Sequence, residues 1–303
     1  MINIVYMGTP DYASYILETL IKDAEIEVLS VYTQPDKPVG RKKLLTAPPV
    51  KTVALENGIE VHQPLNLRSA EIEEEIRTLD PDYIVVAAYG QILPKSILDI
   101  APCINLHASI LPQYRGASPI QQSLLHGDKE TGVTAMLMDV GLDTGDILKI
   151  SRVSIPDTMM VEELFDTLTH CAADLTLDVL KNFTSLKPQK QDDEASSLCK
   201  KISKENGLVV FDDAVSIYNR YRAYTPWPGV YLQSGLKLKE MSLESKTGEH
   251  KPGEVLEVGK NFLIIGCETG SLRITRVQPP SKKEMDIQAY LNGKRLERAD
   301  TLV

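Results

Sequence analysis

The stretch "DYIVVAAYG" (82–90) decides the fold class, because it is a continuous apolar run that ends in a glycine. A strand of this kind is typically buried on both faces, as the strands of parallel sheets are. Similar runs lie at "INIVYMG" (2–8), "EVLSVYTQP" (27–35) and "CINLH" (103–107), and helical patterns separate them. The alternation predicts an α/β domain with a mostly parallel sheet.

Helical patterns follow several of these runs, as the crossover connections between parallel strands require. They predict a helix after 2–8, with Asp11 near its start and Ile16, Leu17 and Leu20 as its apolar residues, and further helices over 48–58, 69–78, 118–128 and roughly 160–183. Two further runs, 131–139 and 146–155, flank the glycine-containing "VGLDTG" and are typical of a strand pair. The part of the chain before residue 184 is therefore predicted to be one α/β domain.

A polar stretch without apolar periodicity, "TSLKPQKQDDEASSLCKKISKE" (184–205), follows the last predicted helix. Such a composition is typical of a linker, and we predict domains at 1–188 and 206–303 with a linker at 189–205. The second domain contains short β-rich runs separated by glycine-rich turns, as in "VYLQSGLKLKEMSL" (230–243). This spacing predicts an all-β small barrel or sandwich.

The 303-residue chain has the composition of a globular protein, with 43% hydrophobic and 25% charged residues. Its four cysteines are far apart and form no C-x-x-C pair. That spacing disfavours a zinc cluster or a disulfide framework and indicates a reducing compartment. The N-terminus has no signal-peptide pattern, and no apolar run is long enough to span a membrane. We therefore expect a cytoplasmic protein without a metal site or a membrane contact.

The net charge of -9 disfavours a nucleic-acid partner when it is considered alone. The charge is uneven, since residues 1–205 contain 19 basic and 30 acidic residues (-11) and residues 206–303 contain 14 and 12 (+2). The difference in sign suggests separate roles for the two domains. Within the acidic domain, "QPDKPVGRKKLLTAPPV" (34–50) brings Arg41, Lys42 and Lys43 together. This basic loop suits contact with phosphate, although a solvated surface loop could have the same composition.

The predicted strand at 103–107 ends with two polar side chains, Asn105 and His107. Because strand side chains alternate between faces, these two project the same way and Leu106 projects oppositely. Open α/β sheets bind ligands beyond the carboxyl ends of their strands, and the loop "SILPQYRGASP" (109–119) could wall such a pocket. The pair therefore either forms a site or satisfies buried backbone groups, as buried polar side chains usually do.

The loop "MDVGLDTGD" (138–146) supplies two candidate carboxylates, Asp143 and Asp146. A turn uses such residues for its own hydrogen bonds. A carboxylate beside His107 would instead orient the imidazole ring and complete a polar triplet. The sequence contains no dinucleotide fingerprint, P-loop, H-E-x-x-H or G-x-S-x-G motif, so dinucleotide, zinc peptidase and esterase functions lack support.

The stretch "NLHASILPQYRGASPIQQSLLHGDKETGVTAMLMDVGLDTGD" (105–146) strongly resembles the folate-dependent formyltransferases. Three more segments resemble the members of this family that formylate methionine on initiator tRNA: "MGTPDYA" (7–13), "QPDKPVGRKKL" (34–44) and "YRAYTPWPGVYL" (221–232). The resemblance covers nearly the whole chain. It implies a Rossmann-like N-terminal domain and a C-terminal OB-like barrel that helps to hold the tRNA.

The resemblance also implies roles for particular residues. The catalytic residues would be Asn105, His107 and Asp143. The folate-binding segment would be Ser109, Ile110, Leu111 and Pro112, with "VVAAYGQILP" (85–94) as the neighbouring pterin slot. The residues that approach the acceptor end of the tRNA would be Arg41, Lys42 and Lys43. The formyl donor would be 10-formyltetrahydrofolate, without a metal, and we expect a monomer.

In the implied reaction, the α-amine of methionine attacks the formyl carbon. Asn105 and His107 would donate hydrogen bonds to the formyl oxygen, and Asp143 would accept the amine proton. One alternative is a formyltransferase for a small amine, such as glycinamide ribonucleotide or an amino-sugar nucleotide. Another is a non-catalytic RNA-binding module. The basic loop and the appended domain favour tRNA over a small amine, and the intact polar triplet favours an enzyme.

The chain departs from the family pattern at three places. The loop has "GRKKLL" (40–45), where a second glycine after the arginine is more usual. Ile110 replaces a leucine in the folate segment. Ser281 occupies a position where glycine is typical.

Overall fold

The computed structural model describes residues 1–40, 42–294 and 297–302. The chain divides into two compact units, each built from several segments. The first comprises Met1–Ile120, Glu130–Ser154 and Glu162–Cys199, and the second comprises Gln121–Lys129, Ile155–Val161 and Lys200–Val303. Residues 189–199 of the predicted linker therefore lie within the first unit.

A seven-stranded sheet lies at the centre of the first unit. The strands of this unit, in chain order, are β1 (Ile2–Gly8), β2 (Ile26–Tyr32), β3 (Lys37–Val39), β4 (Leu44–Thr46), β5 (Val61–His62), β6 (Tyr83–Ala87), β7 (Cys103–His107), β8 (Arg115–Gly116), β9 (Glu130–Leu137), β10 (Ile147–Ser154) and β11 (Leu198–Cys199).

The order of the strands in this sheet is β10-β9-β7-β6-β1-β2-β5. Pairing is parallel from β5 to β7 and antiparallel where β9 joins β7 and β10. The predicted mostly parallel sheet and the predicted strand pair are thus confirmed. The strand order changes direction at β1, between β2 and β6, so the ligand crevice of such a fold is expected beyond the carboxyl ends of these central strands.

The helices that precede residue 183 are α1 (Asp11–Ile21), α2 (Pro49–Glu56), α3 (Ala70–Thr78), α4 (Lys95–Leu98), α5 (Pro119–His126) and α6 (Val161–Asn182). The five helices predicted from the sequence are confirmed as α1, α2, α3, α5 and α6. In α3 the Ser69 hydroxyl accepts the N–H groups of Glu71 and Ile72, which satisfies two backbone donors at the start of the helix. In α1 a buried face that includes Ile16, Leu17 and Leu20 explains the position of the helix against the sheet.

The basic loop forms an exposed hairpin of β3 and β4, paired from Lys37 with Thr46 to Val39 with Leu44. Lys42 and Lys43 lie exposed in its turn. Lys43 has a φ of +49°, a left-handed conformation that costs a non-glycine residue about 1–2 kcal/mol. Arg41 lies outside the described residues.

The second unit contains an antiparallel sheet in the order β12-β13-β16-β15-β14, with β17 beside β16. Its elements are α7 (Ala214–Tyr224), β12 (Val230–Tyr231), β13 (Lys237–Ser245), β14 (Val255–Val258), β15 (Leu263–Gly266), β16 (Ser271–Gln278), β17 (Met285–Asp286) and α8 (Ile287–Lys294). The two helices were not predicted from the strand-rich pattern. They bury Ile217 and Ile287 in the same apolar core as the strands and so add to the antiparallel sheet, which confirms the predicted β-rich second domain.

Ser281, which replaces the glycine usual in the family, lies between β16 and β17. Its φ is +60°, in the left-handed region. Glycine adopts this conformation without the steric cost that a Cβ atom brings. The conformation therefore gives a physical reason for the family's glycine.

Two features of the described residues bear on the function. None of their helices is both long and apolar enough to cross a bilayer. Nor do they contain a group of three or more His, Cys, Asp or Glu side chains that could hold a metal ion.

Candidate active site

The polar pair lies at the carboxyl end of β7, in the middle of the first sheet. β7 pairs with β6 on one side and with β9 on the other, so its backbone is fixed on both edges. Asn105 is half-buried and His107 is buried. Leu106 is 2% exposed, and its carbonyl accepts the Tyr12 hydroxyl at 3.3 Å. The alternation expected from the sequence thus directs the amide and the imidazole to one face of the sheet.

The structure brings Asp143 to this pair from the loop between β9 and β10. Its Oδ1 accepts the Asn105 Nδ2–H group at 3.4 Å, and its Oδ2 lies 3.7 Å from His107 Nδ1. Asp143 has a φ of +54°, so its backbone is in the left-handed region. For Asp146, the contact in this loop is made by its backbone, whose carbonyl accepts the Leu137 N–H at 2.9 Å. Asp143 is therefore the carboxylate that completes the triplet.

The orientation of the His107 ring is set by its other nitrogen. Nε2 lies 2.9 Å from the Tyr114 carbonyl oxygen. A carbonyl only accepts hydrogen bonds, so Nε2 carries a proton. Nδ1 is then the ring atom that faces Asp143, and in the neutral ring it holds a lone pair. His107 can accept a proton at Nδ1, and it can donate from Nδ1 only when the ring is protonated.

The carboxylate of Asp143 is held by the backbone of the loop after β7. Its Oδ2 accepts the Gly116 N–H at 2.8 Å. Gly116 has a φ of +120°, and a Cβ atom there would lie 2.3 Å from the Cys199 carbonyl oxygen. Only glycine fits this position, because any side chain would displace the backbone of residue 199. The carboxylate is thus held by a backbone N–H group as well as by the Asn105 amide.

The predicted folate segment, Ser109 to Pro112, follows directly after the triplet's strand. Thr134 of β9 fixes the backbone of this segment with two hydrogen bonds. The Thr134 Oγ1 donates to the Ser109 carbonyl at 2.6 Å and accepts the Leu111 N–H at 3.1 Å. Ser109 and Leu111 are themselves buried, whereas Ile110 and Pro112 are half-buried. The segment is therefore a rigid wall that leaves Ile110 and Pro112 partly accessible.

The loop after β6 forms part of the same edge of the sheet. The Tyr89 carbonyl accepts the Thr9 hydroxyl at 2.9 Å and the Gln34 side-chain amide at 3.2 Å. Burial raises the pKa of the Tyr89 phenol to about 12, so it stays neutral near pH 7. Loops that follow β1, β2 and β6 are thereby joined at the carboxyl ends of adjacent strands.

Several residues that contact the triplet or its supports were not singled out from the sequence: Tyr114, Arg115, Gly116, Thr134, Gln191 and Cys199. The Cys199 Sγ lies 3.3 Å from the Tyr114 carbonyl that also binds His107. Burial raises the pKa of the Cys199 thiol, and the negative charge of Asp143 adds to this effect. The polar composition of the segment around Gln191 is the sequence feature that could have indicated contacts with the site, but the same composition is typical of a linker.

Comparisons with known proteins identify the family of the chain. The model of the formyl transferase family matches residues 2–180, and the model of the formyl transferase C-terminal domain matches residues 201–295. A methionyl-tRNA formyltransferase of Sulfurimonas denitrificans is 58% identical over 300 residues, which cover 99% of both chains. One from Nitratiruptor is 54% identical over 301 residues, again with 99% of both chains covered.

Among solved structures, an N-formyltransferase from Helicobacter canadensis, in complex with folinic acid and dTDP-3-aminofucose, shares the fold. Its TM-score is 0.69 at 18% identity, and the match covers 92% of this chain and 100% of that one. The family resemblance inferred from the sequence motifs is therefore confirmed, and the chain belongs to the formyl transferase family, in which its full-length relatives are methionyl-tRNA formyltransferases.

Proposed function

We propose that Asn105, His107 and Asp143 catalyse transfer of the formyl group of 10-formyltetrahydrofolate to the α-amino group of methionine on initiator tRNA. The observation that carries this proposal is the placement of a carboxylate 3.4 Å from an amide and 3.7 Å from an imidazole at the carboxyl end of a central strand. The enzyme is a transferase of one-carbon groups, as its family is.

The reaction needs a stabilised oxyanion and a proton acceptor. Attack of the neutral amine forms a C–N bond and places negative charge on the formyl oxygen. Collapse of this intermediate breaks the bond from the formyl carbon to the folate nitrogen. The amine nitrogen loses a proton during these steps, and the folate nitrogen gains one, so the protein has to move a proton but supplies no electrons.

Asn105 is suited to stabilising the oxyanion with a hydrogen bond. Its side-chain amide has two N–H groups, and the bond to Asp143 uses one of them. The second N–H can donate to the formyl oxygen as charge develops. A preorganised donor of this kind contributes a factor of about 10²–10³ to the rate.

Asp143 and His107 are suited to accepting and transferring the amine proton. Their facing atoms are 3.7 Å apart, which is too long for a direct hydrogen bond, so each has a lone pair available to an incoming amine. Asp143 is proposed as the acceptor of the amine proton, while the Tyr114 carbonyl holds the His107 ring in the orientation that turns Nδ1 toward Asp143. Passed on from Asp143 to Nδ1 of His107, that proton gives the ring an N–H group with which to support the oxyanion beside Asn105, and it can then move to the folate nitrogen as the intermediate collapses.

Binding of the two substrates is proposed for separate elements. The half-buried Ile110 and Pro112, backed by the tied-down Ser109 and Leu111, would form an apolar wall for the folate. The hairpin of β3 and β4, with exposed lysines in its turn, would contact the acceptor end of the tRNA. Arg41 is included as a tRNA contact because of its place in the motif "QPDKPVGRKKL" (34–44), which is evidence from the sequence alone.

The domain roles are part of the same proposal. Residues 1–188 would form the catalytic domain, and residues 206–303 would help to hold the tRNA. Residues 189–205 would join them. We further propose that the enzyme acts as a monomer and in the cytoplasm, where initiator tRNA is charged and used.

The assignment is tested by Asn105→Ala. Loss of one oxyanion donor should lower kcat about 10²–10³-fold. The KM for 10-formyltetrahydrofolate should stay within about twofold, because the donor acts mainly in the transition state. Asn182→Ala, at an exposed position at the end of α6, is the matched control and should leave both constants unchanged. Near-normal kcat in Asn105→Ala would refute the assigned role.

A further inference from the structure

A glutamine from the predicted linker reaches into the active-site loop. The Gln191 Nε2 group donates to the backbone carbonyls of Asp143 at 2.8 Å and of Gly145 at 2.7 Å. Two residues earlier, the backbone of Gln189 exchanges hydrogen bonds of 2.8 and 2.9 Å with Ile147, at the start of β10. The segment is therefore fixed in register beside the loop, and the amide bridges two of the loop's carbonyls.

The direction of the Gln191 amide is determined by Arg115. The Gln191 Oε1 accepts from Arg115 Nε at 3.0 Å and from Nη2 at 2.9 Å. Arg115 is only 6% exposed, and its Nη2 also binds an Asp193 carboxylate oxygen at 2.8 Å. A guanidinium has donors only, so the amide oxygen must face it and the NH₂ group must face the loop. A reversed amide would place donors against donors on one side and acceptors against acceptors on the other.

Asp143 is consequently held at both its backbone and its side chain. Gln191 binds its carbonyl, and the N–H of Gly116, the residue after Arg115, binds its carboxylate. The left-handed φ of +54° at Asp143 is unfavourable for a residue with a side chain, so the surroundings must impose it. We propose that Gln191, oriented by Arg115, is a positioning residue that sets the conformation of Asp143 for formyl transfer. This inference rests on the role proposed above for Asp143.

A different role for Gln191 would be to satisfy the buried guanidinium alone. Gln191→Glu separates the two roles. A glutamate keeps the oxygens that Arg115 needs, but its carboxylate has no N–H group for the Asp143 and Gly145 carbonyls. If Gln191 only supports Arg115, Gln191→Glu behaves like the native enzyme. If it positions Asp143, Gln191→Glu is impaired at least as much as Gln191→Ala.

The experiment measures steady-state formylation of methionyl-tRNA by the full-length variants. We expect both Gln191 variants to lose about 10²-fold in kcat, the effect of a displacement on the order of 1 Å at the reacting groups, with KM for either substrate changed by less than about threefold. Gln189→Ala is the matched control, because this side chain is exposed and its contacts with Ile147 come from the backbone. It should keep native kcat. Thermal unfolding of each variant checks that the fold is retained.

A double variant gives the readout that a purely structural role would not produce. If Gln191 acts through Asp143, adding Gln191→Ala to Asp143→Asn should lower kcat by less than about threefold beyond Asp143→Asn alone. Full additivity of the two losses, or native kcat in a folded Gln191→Glu variant, would overturn the inference. A fully active Asp143→Asn enzyme would instead overturn the proposed function of the triplet, so the two failures are distinguishable.

Discussion

The substitution Asp143→Asn removes the proposed proton acceptor with almost no change in volume. In the native enzyme one carboxylate oxygen accepts the Gly116 N–H at 2.8 Å and the other accepts from Asn105 Nδ2 at 3.4 Å. An asparagine can keep only one of these bonds with its oxygen. If the oxygen stays on Gly116, the new NH₂ group faces the NH₂ group of Asn105, and two donors oppose each other.

The expected result of this substitution is a fall in kcat of about 10³-fold. This value lies within the range of about 10²–10⁴-fold for general acid–base catalysis. It corresponds to about 4 kcal/mol of lost transition-state stabilisation. The affinity for the folate should change little, because the wall formed by Ile110 and Pro112 is untouched.

The assay is single-turnover formylation of methionyl-tRNA at saturating 10-formyltetrahydrofolate, with folate binding measured separately by calorimetry. Asp139→Asn is the matched control. Asp139 lies in the same loop, and its Oδ1 accepts from the Gly141 N–H and the Thr144 hydroxyl, which an asparagine oxygen can also do. It should keep a rate within about threefold of native, as surface substitutions usually do. Asp143→Asn activity near that of this control would show that Asp143 is not the proton acceptor.

Three other outcomes are expected. Alanine at both Lys42 and Lys43 should raise the KM for methionyl-tRNA but not the KM for folate. If each lysine contacts a phosphate, the double substitution should also lower the slope of log affinity for tRNA against log salt concentration by about 2. An unchanged slope would show that the hairpin is not part of the tRNA interface. Arg41→Ala should raise the same KM, and an equal shift in the KM for folate would argue against a tRNA contact. Ser281→Gly should leave the free energy of unfolding, measured in urea titrations, unchanged or raise it by up to about 1 kcal/mol, because glycine adopts the left-handed φ of +60° without steric cost. Ser242→Gly, in strand β13, is the control that should lower the free energy of unfolding. A loss of stability in Ser281→Gly as large as that in the control would contradict the prediction.

The parts of the fold that follow from local pattern could be predicted from the sequence. Continuous apolar runs form the central strands, because these strands are buried on both faces. Helical patterns form the crossover helices, because a helix that is buried on one face has apolar residues at the helical period. The same alternation explains why Asn105 and His107 share a face. Helix α7 was missed since short β-rich runs dominate its domain, although the Asp213 carboxylate that accepts the Ser216 N–H was a readable start signal.

The parts that depend on distant polar contacts could not be predicted. Gln191 lies 48 positions from Asp143, and its contacts are with backbone carbonyls and a guanidinium, so they leave no apolar periodicity. A segment that binds polar loops has the same composition as one that binds water. The Tyr114 carbonyl, which fixes the His107 ring, is a backbone atom that any residue could supply.

The site at the carboxyl end of β7 is proposed to formylate the amino group of methionine attached to tRNA. The most direct measurement offers the full-length enzyme 10-formyltetrahydrofolate together with methionyl initiator tRNA, glycinamide ribonucleotide and an amino-sugar nucleotide, and identifies the formylated product by mass spectrometry. The predicted result is formyl-methionyl-tRNA, formed by the native enzyme and reduced about 10³-fold in Asp143→Asn. Formylation of either small amine with methionyl-tRNA left unmodified would exclude methionyl-tRNA as the substrate of this site.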